Sequence, residues 1–210
     1  MKAKIKNIIL DLGGVLLNID YLRTIEAFKK LGVKHFDEMY TQAKQNELFD
    51  AFETGQINPD KFLAEIAQHL PKEIKKEEIV NAWNEMLLDF PKERLEFLSK
   101  LNTQYNLVLL SNTNVIHLEY FHKQLKTEHG IENLSNYFKN TYFSCEMGMR
   151  KPHPEIFLKV CKLESFDSSQ TLFIDDTKQH VEGALTAGLH AEYLDVKNTN
   201  VIDLINSLLA

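Results

Sequence analysis

The sequence near the N-terminus places one carboxylate between an apolar run and a pair of glycines. Residues 8–16 read Ile-Ile-Leu-Asp-Leu-Gly-Gly-Val-Leu, so that Asp11 follows the run and Gly13 and Gly14 come just beyond it. A continuous apolar run that ends at a glycine turn is typical of a strand buried on both faces, as in a parallel sheet covered by helices. Ligands bind at the carboxyl ends of such strands, which is where we expect Asp11. The glycines allow backbone N–H groups to turn towards an anion such as phosphate.

The second half of the chain alternates between strand and helix patterns. Apolar runs predict further strands at residues 107–110, 141–144, 171–174 and 190–194, with amphipathic helices between them. Strands separated by helices indicate right-handed parallel crossovers, and therefore an α/β fold with a doubly wound parallel sheet. We predict that residues 1–17 and 91–210 form this core domain.

Residues 18–90 have a different pattern, with helical spacing throughout. Asn58 and Pro59 form a cap and a first helical position ahead of an amphipathic run, and the apolar spacing across residues 79–90 predicts another helix. The segment therefore resembles a small helical bundle. Because it interrupts the sheet after its first strand, we predict an inserted second domain with a hinge at each end.

Composition excludes several classes of function. The chain has 24 Lys plus Arg against 30 Asp plus Glu, and its formal net charge of −6 would repel nucleic acid. Cys145 and Cys161 are isolated, which predicts reduced thiols and no disulfide framework. Because Asp11 interrupts the N-terminal apolar run, that run suits neither a signal peptide nor a membrane span. We expect a cytoplasmic protein that does not bind a membrane, whose oligomeric state the sequence does not decide.

Polar side chains follow four of the predicted strands, and the carboxyl ends of parallel strands share one edge of the sheet. These residues are Asp11, Ser111 with Asn112, Lys151 in the loop after the 141–144 strand, and Asp175 with Asp176. Any one of them is ordinary in a loop, but four polar strand ends together indicate a site.

The residue types at this edge suit phosphoryl transfer. A carboxylate such as Asp11 that attacks phosphorus gives an aspartyl-phosphate. Magnesium held by Asp11, a backbone carbonyl and the Asp175–Asp176 pair would neutralise the nucleophile and the phosphoryl oxygens. Ser111 or the backbone of Asn112 could donate to the phosphate, and Lys151 supplies the fixed cation that the reaction requires.

At this level the chain resembles the haloacid dehalogenase-like (HAD) hydrolases, in the branch whose helical cap follows the first strand. The resemblance rests on residues 11–15 (Asp-Leu-Gly-Gly-Val), Ser111-Asn112, residues 148–152 (Gly-Met-Arg-Lys-Pro), residues 154–157 (Pro-Glu-Ile-Phe) and residues 173–176 (Phe-Ile-Asp-Asp). It implies a Rossmann-like core with an inserted helical-bundle cap, Mg²⁺ as cofactor, and hydrolysis of a small phosphorylated metabolite by a phosphoric monoester phosphatase.

The resemblance also assigns roles to individual residues. It implies that Asp11 is the nucleophile and that Lys151 is the catalytic cation. Phosphate is expected to contact Gly13, Gly14, Ser111, Asn112 and Lys151. The metal is expected at Asp11, the Gly13 carbonyl, Asp175 and Asp176, with Asp176 as the more direct ligand of the aspartate pair.

The chain departs from the family pattern at Gly13. Phosphatases of the family usually carry an acid–base aspartate there, and a positioned general acid is worth roughly 10² to 10⁴ in rate. The Asp-Leu-Gly-x-Val form resembles glucose-1-phosphate phosphatase-like members, whose sugar phosphate has a good leaving group. Asp20 could help to replace the missing acid, although a helix-capping role is the simpler interpretation.

Two histidines also have expected positions. His180 stands where the family often has Asn or Asp, and His117 is expected to be a surface or capping group.

Three hypotheses follow from these observations. The first is a Mg²⁺-dependent phosphatase, with a sugar phosphate as the expected substrate. The second is a phosphometabolite-binding protein that Gly13 has weakened as a catalyst. The third is a metal-free 2-haloacid dehalogenase, which has no need of the Asp175–Asp176 pair.

Overall fold

The computed structural model describes residues 5–33, 35–41, 44–45 and 47–209. The strands are β1 (Asn7–Leu10), β2 (Tyr40–Thr41), β3 (Lys44–Gln45), β4 (Asn106–Ser111), β5 (Asn140–Phe143), β6 (Thr171–Asp175) and β7 (His190–Tyr193). The helices are α1 (Tyr21–Lys30), α2 (Phe36–Met39), α3 (Glu47–Glu53), α4 (Pro59–Ala67), α5 (Lys76–Asn84), α6 (Lys92–Leu101), α7 (Val115–His129), α8 (Ser144–Met147), α9 (Pro154–Glu164), α10 (Lys178–Thr186) and α11 (Val201–Leu209).

Five strands form one parallel sheet, which confirms the predicted doubly wound α/β fold. Their order across the sheet is β5-β4-β1-β6-β7, and each neighbouring pair runs parallel. Strand β1 lies at the centre, with Leu10 opposite Leu109 of β4 and Ile174 of β6. Every residue of β1 is buried, as the continuous apolar run predicts.

This register brings the polar strand ends to a common edge. Asp11 follows β1 directly, Ser111 is the last residue of β4, and Asp175 is the last residue of β6. Because β1 lies between β4 and β6, these residues are lateral neighbours although more than 60 positions separate each from the next along the chain.

Helices α1 to α5, here called the inserted helices, come between β1 and β4 and share a dense aromatic cluster. The ring of Trp83 lies 5.5 Å from that of Phe49 and 5.2 Å from that of Phe62, measured between centroids. Asp20 accepts a hydrogen bond from the Leu22 N–H at the start of α1, and Asn58 accepts one from Lys61 N–H ahead of Pro59 in α4. A single apolar core joins these helices to one face of the sheet.

The helix expected across residues 79–90 is wrong in its second half, because α5 ends at Asn84. Residues 86–89 instead pair with residues 18–20, where Asp20 N–H donates to Met86 O at 2.8 Å and Leu88 N–H to Asn18 O at 2.9 Å. The chain therefore enters and leaves the inserted helices side by side. The backbone N–H and C=O groups here form hydrogen bonds with a segment that is distant in the sequence, and helical spacing alone does not predict such bonds.

Other local differences are small. The strand predicted at residues 141–144 ends at Phe143, because Ser144 begins the short helix α8, and the β2–β3 pair was not predicted. In the part of the chain that the structure describes, no helix has both the length and the apolar character needed to cross a membrane. Cys145 and Cys161 are both free thiols.

Candidate active site

Lys151 lies fully buried between two carboxylates at the carboxyl edge of the sheet. Its Nζ donates to Asp11 Oδ1 at 2.6 Å, to Asp175 Oδ2 at 2.6 Å and to the Leu110 carbonyl at 3.0 Å. Burial opposes the charge on Lys151, but the two carboxylates outweigh it and raise the pKa of the ammonium above its usual value. The lysine is therefore a fixed cation.

Asp175 uses both carboxylate oxygens within the protein. Besides Lys151, it accepts from the Thr177 N–H at 2.8 Å and lies 3.0 Å from His180 Nδ1. Burial would raise the pKa of Asp175, but Lys151 and His180 outweigh it and lower the pKa to about 2. Asp175 is thus ionised and held in place, and His180, at the position where the family often has Asn or Asp, forms a hydrogen bond with it.

Asp11, Asp175 and Asp176 each present a carboxylate oxygen to one small volume, within 4.8 Å of one another. Burial and, after it, the negative charges of Asp11 and Asp175 together raise the pKa of Asp176 to about 7. Burial also raises the pKa of Asp11 to about 6, against the opposing effect of Lys151. One lysine does not balance three carboxylates, so the cluster has the charge and the oxygen donors to bind a divalent cation.

Gly14 makes room for this cluster. Its φ is +73°, and a Cβ at this position would lie 2.1 Å from Asp176 Oδ2. Its N–H donates to the Leu17 carbonyl at 2.8 Å, so the contribution of Gly14 is the space it leaves and its backbone conformation. The sequence predicted a contact between Gly14 and phosphate, but in the structure its N–H already donates to this carbonyl.

Asn112, which directly follows Ser111 at the end of β4, contacts Lys151. The Asn112 side-chain amide forms hydrogen bonds to the main chain of Lys151 through both its oxygen and its nitrogen. Its side chain therefore orients the lysine loop, and its backbone remains the group suited to a phosphate contact. Ser111 is buried at the end of β4.

A cavity of about 60 Å³ opens beside Gly13, between the sheet edge and the inserted helices. Its walls include Gly13, Ser111 and Asn112 from the core, and Tyr21 and Glu53 from the inserted helices. Asp20 is not among the lining residues, and its side chain caps α1. Sequence reasoning missed Glu53, although Glu53 directly precedes Thr54-Gly55, the turn after α3.

His117 also lines this cavity, and the prediction that it is a surface or capping group is wrong because its side chain is buried. Its Nε2 lies 3.2 Å from the Trp83 carbonyl and its Nδ1 lies 3.2 Å from Asn114 Nδ2. Burial lowers the pKa of His117 to about 4, so the ring is neutral, with Nε2 as donor and Nδ1 as acceptor. The Trp83 ring stacks on it at 4.9 Å.

The fold and the site together define a class of protein: a Rossmann-like α/β enzyme whose first strand ends in a buried aspartate beside a lysine and an aspartate pair. The family model for haloacid dehalogenase-like hydrolases matches residues 5–188, and the chain belongs to this family.

Similar proteins agree with this assignment. The chain is 31% identical over 177 residues to a D-ribitol-5-phosphate phosphatase of Bacteroides thetaiotaomicron, a match that covers 84% of this chain and 85% of that protein. It is 35% identical to a HAD family enzyme of the same organism, crystallised as an aspartate-to-alanine variant with magnesium and inorganic phosphate. That superposition has a TM-score of 0.89 and covers 96% of this chain and 98% of the other. A HAD-like hydrolase of Porphyromonas gingivalis is 32% identical, with a TM-score of 0.88 over 99% and 98% of the two chains.

Proposed function

We propose that this protein is a Mg²⁺-dependent phosphatase that hydrolyses a small phosphorylated metabolite, a sugar or polyol phosphate, through an aspartyl-phosphate on Asp11. The observation that carries the proposal is the meeting of Asp11, Asp175 and Asp176 around buried Lys151. A carboxylate nucleophile, a fixed cation and an acidic metal site are the parts that phosphoryl transfer through a covalent intermediate needs.

The donor set fits magnesium. Mg²⁺ prefers oxygen ligands and is commonly held by one or two carboxylates. The pKa of Asp176 is raised first by burial and then by the negative charges of Asp11 and Asp175, which a cation would offset. We assign the direct contacts to Asp11, Asp176 and the Gly13 carbonyl. Asp175 acts beside them, because both of its oxygens already accept hydrogen bonds. When bound, the ion neutralises charge on the nucleophile and the phosphoryl oxygens.

The side chains and main-chain groups of the site carry out the other steps of the reaction. An oxygen of Asp11 forms the bond to phosphorus as the bond to the leaving oxygen breaks, and water later releases phosphate from Asp11. Lys151 lies 2.6 Å from Asp11, where it orients the nucleophile and stabilises phosphoryl charge. In this proposal Ser111 and the Asn112 main chain donate to the phosphoryl oxygens, which is supported by their position with Gly13 in the wall of the cavity.

The substrate class follows from the relative that acts on D-ribitol 5-phosphate. We extend this class to the present chain, because its cavity lies between the sheet edge and the inserted helices. In this proposal residues 18–90 are the cap domain that selects the substrate, and residues 1–17 and 91–210 are the catalytic core. The cytoplasmic location and the lack of a nucleic-acid partner stay predictions.

The test is phosphate release from a panel that contains D-ribitol 5-phosphate, glucose 1-phosphate and p-nitrophenyl phosphate. We expect turnover with Mg²⁺, none with EDTA and none in Asp11→Asn. As a matched control, Asp203→Asn on α11 changes an exposed carboxyl group and should retain wild-type rates. No turnover of any ester by the wild-type protein would overturn the proposal.

Gly13 supports a second candidate, a phosphometabolite-binding protein with little turnover. Micromolar binding of a phosphosugar by calorimetry, with hydrolysis near background, would favour it. The third hypothesis, a metal-free dehalogenase, predicts chloride release that EDTA does not affect. The acidic cluster argues against this reaction, because halide displacement does not need a divalent-cation site.

A further inference from the structure

The proposed phosphatase lacks a proton donor at Gly13, two residues after the nucleophile. We propose that Glu53, on an inserted helix, performs this proton transfer: it protonates the leaving oxygen and then accepts a proton from the attacking water. This inference rests on the proposed function and identifies the residue that completes its site.

The position of Glu53 supports the assignment. It is the last residue of α3, its side chain is buried, and it lines the same cavity as Gly13, Ser111 and Asn112. Glu53 and Gly13 therefore face one cavity, and the leaving oxygen of an ester bound beside Gly13 is the group that Glu53 would protonate.

Two contacts hold Glu53 against the catalytic loop. Arg150, the neighbour of Lys151, places Nη2 3.1 Å from Glu53 Oε2 and forms a second ion pair with Asp50, one turn earlier on α3. The turn after α3 is anchored as well, because Gly55 lies so close to the Cys145 carbonyl that a Cβ would be 2.2 Å from its oxygen. The end of α3 is thus fixed to the loop that carries the lysine.

The other candidates for proton transfer are less suitable. Both ring nitrogens of His117 are engaged, one with the Trp83 carbonyl and one with the Asn114 amide. Asp20 caps α1 and is not part of the cavity wall. Among the described residues that line the cavity, Glu53 is the one carboxyl group, and Tyr21 is the one phenol.

The proton balance closes over one turnover. Glu53 as the neutral acid gives its proton to the leaving oxygen while the P–O bond to that oxygen breaks, which releases a neutral alcohol and leaves a carboxylate. The carboxylate then takes a proton from the water that attacks phospho-Asp11, so that Asp11 and neutral Glu53 are both regenerated. Bound phosphate brings like charge beside Glu53, which favours the proton there, and Arg150 offsets the carboxylate once the proton has left.

The test compares Glu53→Gln with wild type on esters whose leaving groups differ in basicity. Alkyl phosphates such as D-ribitol 5-phosphate require a proton donor, whereas p-nitrophenolate leaves without one. We expect kcat/KM for the alkyl ester to fall by roughly 10² to 10⁴ and kcat/KM for p-nitrophenyl phosphate to fall less than about tenfold. A burst of p-nitrophenol should then precede slow turnover, because loss of the base delays hydrolysis of phospho-Asp11.

Two further variants keep the test decisive. Glu47→Gln removes an exposed carboxyl group at the start of α3, away from the Arg150 bridge, and should leave the ratio between the two esters unchanged. Gly13→Asp in the Glu53→Gln background should restore alkyl-ester turnover, since a Cβ at Gly13 meets only the movable end of Ile19, at 3.2 Å.

Equal loss on both esters, or no loss on either, overturns the assignment to Glu53. A selective loss of the alkyl ester in Tyr21→Phe or Asp20→Asn, with Glu53→Gln unaffected, moves the role to that residue. Wild-type protein that hydrolyses none of the esters defeats the proposed phosphatase itself, which is a different outcome from the failure of Glu53.

Discussion

The side-chain amide of Asn112 pairs with the main chain of Lys151 in both directions: Nδ2 donates to Lys151 O at 2.9 Å, and Oδ1 accepts from Lys151 N–H at 3.0 Å. A residue at the end of β4 thereby fixes the loop that carries the buried ammonium. The pairing links two parts of the site that lie 39 positions apart in the chain.

Asn112→Ala should therefore weaken catalysis by loosening Lys151. We expect kcat/KM to fall by roughly 10- to 100-fold, because displacement of a catalytic group by about 1 Å can cost about 10² in rate. The matched control is Asn106→Ala at the other end of β4, whose amide bonds to Asn7 Oδ1 at 2.9 Å. Steady-state kinetics check this, and wild-type kcat/KM in Asn112→Ala would contradict it.

Lys151→Met should destabilise the fold as well as abolish turnover. The substitution leaves Asp11 and Asp175 buried without their shared cation, and removal of one partner from a buried ion pair typically costs about 3–5 kcal/mol. Urea unfolding in EDTA measures the loss. Lys159→Met, at an exposed position on α9, should change the free energy of unfolding by no more than about 0.5 kcal/mol. Equal stability of the two variants would show that the buried charges do not depend on Lys151.

His117 should make the protein sensitive to acid. Because its folded-state pKa of about 4 lies below the ordinary value of 6.5, its contribution is complete above pH 6.5 and is lost as the pH falls towards 4. The shift corresponds to on the order of 3 kcal/mol. We expect the free energy of unfolding of His117→Gln to fall less over this pH range than that of wild type. Denaturant titrations at several pH values test this, with exposed His69→Gln as control, and parallel curves for wild type and His117→Gln would exclude the effect.

Gly55→Ala should weaken the contact between α3 and the core. Gly55 has φ +67°, and a Cβ would lie 2.2 Å from the Cys145 carbonyl oxygen, which cannot rotate away as a side chain does. Gly130→Ala is the matched control, since Gly130 has φ +68° with nothing within 4 Å. Both variants carry backbone strain, so the additional loss in Gly55→Ala, about 1–3 kcal/mol in thermal or urea unfolding, reports the clash. Equal losses of unfolding free energy in the two variants would show that the clash with the Cys145 carbonyl contributes little to stability.

Part of the site was predictable because parallel strands end at one edge. Asp11, Ser111 and Asp175 each follow an apolar run, and the sheet order places β1 between β4 and β6. The starts of α1 and α4, capped by Asp20 and Asn58, were also predictable from the sequence, since a capping side chain bonds to an N–H two or three residues away. Such features depend on local sequence and on the regular geometry of strands.

The contacts of Glu53, Arg150 and His117 were decided only by the tertiary structure. Arg150 reaches Asp50 from 100 positions away, and His117 bonds to a main-chain carbonyl 34 positions earlier. No spacing pattern encodes such contacts, because they depend on how the inserted helices pack against the sheet edge. The sequence by itself determined the parallel sheet and the carboxylates at its edge, since hydrophobic periodicity and turn chemistry act locally. Packing between distant segments decided which side chains complete the cavity and which charges are buried together, because burial and electrostatics depend on position in space.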